Sequence, residues 1–269
     1  MTPIDPFFTA IILAGSRAAH DPVAEAAGVP CKAFTPVGNT PMVCRVLETL
    51  QAAETVSRRL LCGPSWSIIE QEPKLRTRID AQEIEWIEPQ ATPSTSAAFA
   101  MHSIPQENPI LLTTADHALL TTDMVNYFCS KAWESQGDVV AGLVPYDLVK
   151  QAFPESKRTV MKFKDQGYCG CNLFAFLTPQ GRTMATFWQQ IEQERKKPLR
   201  LIGMLGWMAV LRFVTGNLSL AQGLEGLSKK LHLRVRTVSL PFPEAAVDVD
   251  TVADWELAKK IVEARATHT

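Results

Sequence analysis

The chain has 269 residues, 46% of them hydrophobic, so it is long enough to bury a large core and is not wholly disordered. Its formal net charge of -1 provides no basic excess for a nucleic-acid surface, and we expect no nucleic-acid partner. The first residues lack the pattern of a secretory signal, and the six cysteines lack the spacing of a disulfide framework. These features predict a cytoplasmic protein.

The first half of the chain alternates apolar runs with helical patterns. We predict strands at 7–14, 59–62, 84–87, 109–114 and 138–144. Helices are predicted from Pro41, at 96–103 and at 122–134, and the Ala/Gly/Pro-rich residues up to Gly38 are predicted to form a loop. Strands that alternate with helices predict an α/β fold with a mainly parallel, layered sheet.

The second half is predicted to contain more helix. Strands are expected at 160–163 and 172–177 around a Gly/Cys turn, and again at 233–240. Helices are expected at 182–195, 200–214, 219–230 and 251–264. The last helix is amphipathic and is expected to bury Val252, Trp255, Ala258 and either Ile261 or Val262.

A glycine-containing turn follows the first predicted strand, in the order Leu13, Ala14, Gly15, Ser16, Arg17. Gly15 permits a positive φ and a close approach of peptide N–H groups to phosphate oxygens, and Arg17 offers a bidentate donor to them. An ordinary turn with a solvated arginine is the alternative. Lys32 is a candidate for stabilising charge on a transferring phosphoryl group, or else a surface lysine.

Two acidic sites follow strand-like runs far apart in the chain. Asp116 ends the apolar run 109–116, and Asp250, with Asp248 as its alternate, precedes the last helix. In open α/β sheets the ligand crevice lies at the carboxyl ends of the strands, so one crevice can collect both acids. Two carboxylates suit Mg²⁺ (or Mn²⁺), although Asp116 could instead stabilise a turn and Asp250 could cap the helix unless Thr251 does so.

Further polar residues have two interpretations each. Ser94 and Ser96 stand at a helix start entered through Thr92, where hydroxyls cap a helix or contact a nucleobase. Asn172 could orient an acceptor hydroxyl or satisfy a turn. Residues 195–212 join a basic run to an apolar stretch that is too short for a transmembrane segment. This segment is either a buried helix with a basic flank or a surface for peripheral membrane contact or a lipid acceptor.

The order of these motifs resembles the MobA-like nucleotidyltransferases, which include molybdenum-cofactor guanylyltransferases, methylerythritol cytidylyltransferases and sugar-phosphate uridylyltransferases. The resemblance covers 8–145 and the C-terminal strand and helix, while 181–232 has no counterpart and the first loop lacks a second glycine. The motifs that carry it are 13–17, Lys32, 38–42, 94–97, 114–116 and 248–251.

The resemblance implies a Rossmann-like, three-layer α/β/α GT-A fold with a mainly parallel mixed sheet. It implies that an NMP group passes from an NTP to a phosphorylated small-molecule or lipid-linked acceptor, with release of pyrophosphate. Arg17 and Lys32 would be catalytic, and Asp116 and Asp250 would bind the metal. The nucleotide would be held by Leu13, Ala14, Gly15, Ser16, Arg17, Lys32, Thr92, Ser94, Ser96 and Asp116, and Asn172 would face the acceptor.

We therefore expect one domain over 1–269. About 7–150 would bind the nucleotide, about 151–245 would form an acceptor-side part with a helical insertion at 181–232, and 246–269 would supply the metal loop and last helix. Two other functions remain open at this point. One is a GT-A glycosyltransferase that uses an NDP-sugar, and the other is a degenerate nucleotide-binding or scaffold protein.

Overall fold

In the computed structural model, which describes residues 7–15, 20–194 and 207–267, strands from both halves of the chain form one sheet. Eight of the strands in the described residues join this sheet, and β2 and β3 form a separate hairpin. The strands are β1 Phe8–Leu13, β2 Pro36–Val37, β3 Thr40–Pro41, β4 Val56–Cys62, β5 Glu85–Ile87, β6 Ile110–Thr114, β7 Val139–Pro145, β8 Met161–Lys162, β9 Gly167–Phe176 and β10 Val235–Ser239.

The sheet has the order β10-β7-β9-β6-β1-β4-β5, with β8 added beside β9. Strand β9 runs antiparallel to its neighbours β6, β7 and β8, while the other pairs are parallel. The carboxyl ends of β1, β4, β6 and β7 therefore meet at one edge of the sheet. The mainly parallel mixed sheet predicted from the sequence is confirmed.

Helices cover both faces of the sheet and complete the predicted three layers. Pro93–His102, Met184–Glu194 and Leu220–Leu231 pack on one face, and Met42–Ala52 and Thr122–Glu134 pack on the other. The central strand β1 is buried between them because its sequence, Phe-Thr-Ala-Ile-Ile-Leu, has almost no polar side chain. The remaining helices are Pro22–Ala27, Trp66–Ile69, Pro73–Asp80, Tyr146–Ala152, Trp207–Val214 and Val252–Thr267, with 3₁₀ turns at Lys32–Phe34, Gly181–Thr183 and Pro243–Ala246.

Several helices begin where their sequences supply a cap. Thr92 and Thr95 form a capping box with Pro93 at the first helical position, so that helix starts three residues before the predicted 96. Thr251 and Asp254 cap the last helix reciprocally, since the Thr251 N–H donates to Asp254 at 2.9 Å and the Asp254 N–H donates to the Thr251 hydroxyl at 3.2 Å. The cap therefore leaves the Asp250 carboxylate available for other contacts.

Two regions that were predicted as loop or turn are regular structure. Helix Pro22–Ala27 lies inside the predicted loop, because Asp21 caps it, Pro22 starts it and Gly28 ends it in the left-handed region at φ 67°. The predicted Gly/Cys turn before residue 172 is wrong, since Cys169, Gly170 and Cys171 lie within β9. Cys169 and Cys171 are buried there and behave as small apolar side chains.

Three further short helices of the described residues were not predicted, at Trp66–Ile69, Pro73–Asp80 and Tyr146–Ala152. Each has at most eight residues, too few for a clear helical pattern to stand out. Val252 is 38% exposed, so its predicted burial is wrong, while Ala258 is fully buried. Both Ile261 and Val262 pack partly into the core, where one of them was expected.

Asp138, just before β7, connects three neighbouring strands through hydrogen bonds to Thr178 after β9 and Arg234 before β10. Its carboxylate accepts hydrogen bonds from the Arg234 backbone N–H at 2.7 Å, from the Arg234 guanidinium at 2.8 Å and from the Thr178 hydroxyl at 3.0 Å. The hydrogen bond from the Arg234 side chain, more than any other cause, lowers the pKa of Asp138 from 3.8 to about 2. The charged form is thus favoured in the folded state.

We expect Asp138→Asn to destabilise the protein near pH 7 but not at strongly acid pH. A group whose pKa is lowered by folding contributes stability above its unfolded pKa, and that contribution is lost as pH falls from 3.8 toward about 2. Urea denaturation from pH 7 to pH 2 should therefore show the stability gap between wild type and variant closing in this window. Asp80→Asn, on an exposed helical ion pair, is the control. A stability difference that is the same at every pH would contradict the lowered pKa of Asp138.

Candidate active site

The candidate site lies at the carboxyl ends of β1 and β6, where the last segment of the chain joins them. The Ala115 N–H donates to the Leu13 carbonyl at 2.9 Å, which holds the ends of the two strands together. The Val249 N–H donates to the Asp116 carbonyl at 3.1 Å, so the backbone around 248–250 lies against Asp116. The structure therefore brings the two distant acidic segments to one place.

Lys32 bridges Asp116 and Asp250. Its Nζ donates to Asp116 Oδ2 at 2.8 Å and to Asp250 Oδ1 at 2.6 Å. The 3₁₀ turn Lys32–Phe34 buries Ala33 and Phe34 in the core, and the Lys32 side chain is 20% exposed. Burial by itself lowers the pKa of Lys32, but Asp116 and then Asp250 outweigh it, so the pKa lies above its usual value and the ammonium stays charged.

Asp116 is held in place from its own strand. The Thr114 hydroxyl donates to Asp116 Oδ1 at 2.5 Å, while Oδ2 faces Lys32. His117, the next residue, is fully buried, and burial lowers its pKa to about 4, so its ring is neutral near pH 7. The buried, neutral ring leaves Asp116 as the ionisable group that faces the crevice.

Asp248 has different partners from Asp250. Arg158 Nη1 donates to Asp248 Oδ1 at 3.0 Å, and the Asn172 amide donates to Asp248 Oδ2 at 3.1 Å. Burial raises the pKa of Asp248, and the negative charges of Asp250 and Asp116 raise it further. The three carboxylates therefore repel one another across a short distance, and Asp250 is the one whose carboxylate faces Asp116 through Lys32.

Asp116 and Asp250 are the acids of the site that face each other and could bind a divalent metal. Among the described residues, no group of three or more His, Cys, Asp or Glu side chains is arranged to hold a metal ion. Mg²⁺ usually takes one or two carboxylates and completes its octahedron with phosphate oxygens and water. Asp116 and Asp250 supply two such carboxylates, and both contact the same cation, the Lys32 ammonium. They therefore fit Mg²⁺, whereas Zn²⁺ would need more nitrogen or sulfur ligands.

The loop after β1 lies against a second glycine turn. An added Cβ on Gly63 would lie 3.0 Å from the Gly15 nitrogen and 3.2 Å from Pro89 Cβ, and Gly63 has a φ of 82°. Gly15 permits a positive φ but does not have one, and the left-handed backbone at this place is that of Gly63. Leu13 and Ala14 precede this exposed Gly15, while Ser16 and Arg17 lie outside the described residues.

The polar residues at the next helix start have internal partners. The Ser94 hydroxyl and backbone N–H both contact the Glu192 carboxylate. Ser96 Oγ accepts from the Gln90 N–H at 2.8 Å, and Thr92 caps the helix. Ser94 and Ser96 are thus buried and hold the 88–96 segment, whose Pro89 lies beside Gly15.

Asn172 lies on β9 in the left-handed region, at φ 50°. Strand β9 shifts register against β7 at this point, and the bend turns the Asn172 amide toward Asp248. The side chain thus orients an acid of the site, and contact with an acceptor remains a prediction.

Sequence reasoning missed Arg158. Its side chain is 6% exposed and donates to Asp248, to Asp254 Oδ1 at 2.6 Å and to Ser156 Oγ at 2.9 Å. Arg158 thereby links the acidic segment to the first turn of the last helix. A lone arginine in a polar stretch gives no sequence signal, because its acidic partners come from 90 residues or more along the chain.

We expect Arg158→Met to lower the free energy of unfolding by about 2–3 kcal/mol, because it leaves two partly buried carboxylates without their cation. The control is Arg76→Met, which breaks an exposed pair and should cost about 0.5 kcal/mol or less. Urea denaturation measures both values. Equal losses in the two variants would show that the Arg158 pairs add no more than a surface contact.

The fold and the site combine a mainly parallel α/β sheet with a lysine ammonium held between two acids, Asp116 just after β6 and Asp250 before the last helix. A family model described as the MobA-like NTP transferase domain matches residues 10–148. The chain therefore belongs to the MobA-like NTP transferase family and is a nucleotidyltransferase.

Solved structures agree with this assignment. A hypothetical transferase from Thermus thermophilus is 28% identical with a TM-score of 0.76, covering 93% of this chain and 99% of that chain. A CMP:2-keto-3-deoxy-manno-octonic acid synthetase in complex with CTP is 13% identical with a TM-score of 0.58, covering 96% of this chain and 99% of that chain. A 4-diphosphocytidyl-2C-methyl-D-erythritol synthase from Anaerococcus prevotii is 10% identical with a TM-score of 0.56, covering 96% and 97%.

The last two likenesses establish the Rossmann-like nucleotidyltransferase fold alone. No curated protein sequence matches the chain. In the part of the chain that the structure describes, no helix has the length and apolarity needed to cross a bilayer.

Proposed function

We propose that the enzyme transfers an NMP group from an NTP to a phosphorylated acceptor, with Mg²⁺ and with release of pyrophosphate. The observation that carries the proposal is the contact of one lysine with two acids from distant segments, Lys32 with Asp116 and Asp250. Phosphoryl-transfer sites need positive charge placed where negative charge develops, and they need little other chemistry from the protein. The phosphorylated acceptor and the metal go beyond what family membership establishes.

Each group has a defined part in this proposal. Mg²⁺ bound by Asp116 and Asp250 would neutralise charge on the triphosphate. Lys32 supplies a second positive charge, for the α-phosphate, and the loop 13–17 supplies peptide N–H groups and Arg17 for the β- and γ-phosphates. An oxygen of the acceptor phosphate attacks in line, so positioning accounts for much of the rate. The helix start at Thr92–Ser96, whose upstream residue Pro89 lies beside Gly15, would contact the ribose or base through the partly exposed Thr92.

The proposal includes the organisation predicted from the sequence. Residues of about 7–150 would bind the nucleotide, the part at about 151–245 would face the acceptor, and 246–269 would complete the metal site as parts of one domain. The sheet that runs from β1 to β10 supports this single unit. A cytoplasmic location also remains a prediction. The six cysteines are free and buried, which is compatible with a reducing compartment.

A nucleotide panel tests the proposal. Thermal shift with ATP, GTP, CTP and UTP should show one NTP that stabilises the protein in the presence of Mg²⁺, with a gain in unfolding free energy that follows RT ln(1 + [L]/Kd). EDTA should remove this stabilisation. The same NTP should then release pyrophosphate when phosphorylated sugars, alcohols or lipids are supplied as acceptors.

The product identifies the reaction. Pyrophosphate release that depends on both NTP and acceptor supports the nucleotidyltransferase. Release of a nucleoside diphosphate from an NDP-sugar would instead support a GT-A glycosyltransferase reaction. Stabilisation by an NTP with no turnover of any acceptor would support a degenerate nucleotide-binding protein.

A further inference from the structure

A cavity of about 690 Å³ lies between the sheet and three helices, Met184–Glu194, Trp207–Val214 and Leu220–Leu231. Apart from the Thr237 hydroxyl and the Trp188 indole N–H, its lining side chains have no polar group. Protein interiors are close-packed and contain few voids larger than a water molecule, whereas ligand pockets occupy roughly 300–1,000 Å³. The cavity therefore has the size of a ligand site and the chemistry of an apolar ligand.

Two strands run from this cavity directly to the acids of the candidate active site. On β6, Leu112 lines the cavity, and Thr114, two residues further on the same face, donates to Asp116. On β9, Phe174 lines the cavity and is the register partner of Leu112, and Asn172, two residues back, donates to Asp248. Two residues of a strand span roughly 7 Å, so the cavity begins beside the acids.

The cavity is elongated and open to the surface. Its floor crosses β6, β9, β7 and β10, from Leu112 to Val235, and three inter-strand spacings amount to roughly 14 Å. Aromatic side chains in its wall, among them Phe163, Phe187 and Trp188, are only partly buried. A flexible hydrocarbon chain fits this shape, with one end at the acids.

The helix Trp207–Val214 forms part of the wall and is apolar on its outer side as well. Val210 and Phe213 line the cavity, while Met208, Leu211 and Val214 are exposed by 51%, 50% and 76%. Exposed apolar patches mark protein or membrane contact sites and ligand-binding grooves, and an apolar helix face beside an apolar cavity fits a ligand taken from a lipid surface. This observation is independent of the cavity lining and indicates the same kind of ligand.

We infer that the acceptor is a phosphorylated lipid, whose acyl or prenyl chain lies in this cavity while its phosphate lies beside Asp116 and Asp250. The inference rests on the proposed function and names its acceptor class. Thr114 and Asn172 mark the boundary between the apolar and the charged parts of the substrate site.

The chemical step balances without another reactant. A phosphate monoester has its second pKa near 6 and is mainly dianionic at neutral pH, so its oxygen attacks the α-phosphorus without a general base. The bond from the α-phosphorus to the bridging oxygen breaks, and pyrophosphate leaves with the electron pair. The product is a nucleoside diphosphate ester of the lipid alcohol.

The first experiment measures binding without catalysis. Dodecyl phosphate with bromine on its terminal carbon should quench the fluorescence of Trp188, whereas dodecyl phosphate without bromine should not. Trp188→Phe should remove the quenched component, and Trp133→Phe, on the helix Thr122–Glu134 away from the cavity, should retain it. Absence of quenching, or equal quenching in both variants, overturns the inference.

The second experiment measures turnover with n-alkyl phosphates of increasing length and the NTP found in the panel. KM should fall roughly fourfold for each added methylene until the cavity is filled. Ala141→Phe, which fills the cavity, should raise KM for dodecyl phosphate at least tenfold and leave KM for ethyl phosphate unchanged. Ala221→Phe, exposed on the helix Leu220–Leu231, is the matched control.

The outcomes separate this inference from the proposed function. Pyrophosphate release that does not depend on the alkyl chain length, with no quenching of Trp188, would support the nucleotidyltransferase reaction and contradict the lipid acceptor. The same result would follow if another part of this chain filled the cavity. Quenching of Trp188 without turnover of any NTP would mean that the cavity binds a lipid that is not the acceptor of a nucleotidyl transfer.

Discussion

Asp116→Ala is expected to reduce pyrophosphate release by about 10³-fold while the protein remains folded. Asp116 supplies one of the two carboxylates that face each other across Lys32, and loss of one such electrostatic group at a phosphoryl-transfer site costs about 10²–10³ in rate. Loss of a metal ligand should bring the effect to the upper end of this range. Steady-state pyrophosphate release with the NTP identified in the panel measures it.

The fold should tolerate this substitution. Lys32 keeps its 2.6 Å contact with Asp250, and the Asp116 backbone carbonyl still accepts from Val249. We expect a stability loss of about 1 kcal/mol for a partly exposed pair. Asp123→Ala, an exposed acid in the first turn of Thr122–Glu134, is the matched control and should retain full activity. Normal turnover in a folded Asp116→Ala variant would remove the metal assignment.

A second readout separates metal binding from a general loss of activity. Mg²⁺ in the presence of NTP should raise the Tm of wild type and of Asp123→Ala, but not that of Asp116→Ala. Mn²⁺ should follow the same pattern, since it accepts the same oxygen ligands. A full Mg²⁺-dependent shift in Asp116→Ala would mean that the ion binds elsewhere.

Lys32→Met is expected to lower kcat by about 10²-fold or more and to change the nucleotide Kd by only a few fold. A charge that interacts more strongly with the transition state than with the bound NTP acts on kcat. The raised pKa of Lys32 keeps its ammonium charged at neutral pH, so the effect should not depend on pH between 6 and 9. Single-turnover kinetics and thermal-shift titration separate rate from affinity.

Lys131→Met, which removes an exposed lysine paired with Glu134, is the control for a lost surface charge. Lys32→Arg tests geometry, because the guanidinium keeps the charge but presents it in a planar fork rather than at a point. We expect partial activity from Lys32→Arg. If Lys32→Met weakened nucleotide binding and left kcat unchanged, Lys32 would bind ground and transition states equally.

Local patterns in the sequence were sufficient for most of the fold. The apolar run of β1 is buried because six consecutive residues offer almost no polar group to water. The helix Thr122–Glu134 has the predicted bounds, since Thr121 caps it and its apolar spacing is regular. The Thr251 cap was also predictable, because a capping box needs only residues three positions apart.

The predictions that failed depend on context outside a local window. Cys169, Gly170 and Cys171 have the composition of a turn, but pairing with β7 makes them part of a strand. Val252 has the spacing of a buried residue, but no neighbouring element covers it. Gly15 permits a positive φ, but the glycine that has one at this place is Gly63, where two chain segments meet.

The sequence alone determined the alternating α/β pattern, because that pattern is local and depends on residue type, and it singled out Asp116 and Asp250 as candidates for the site. The tertiary structure decided that Lys32 lies between Asp116 and Asp250, that Arg158 holds Asp248, and that an apolar cavity adjoins these acids. These features join residues from remote parts of the chain. Distances between such residues follow from sheet order and register, which arise when the whole core packs and are not encoded in any single segment.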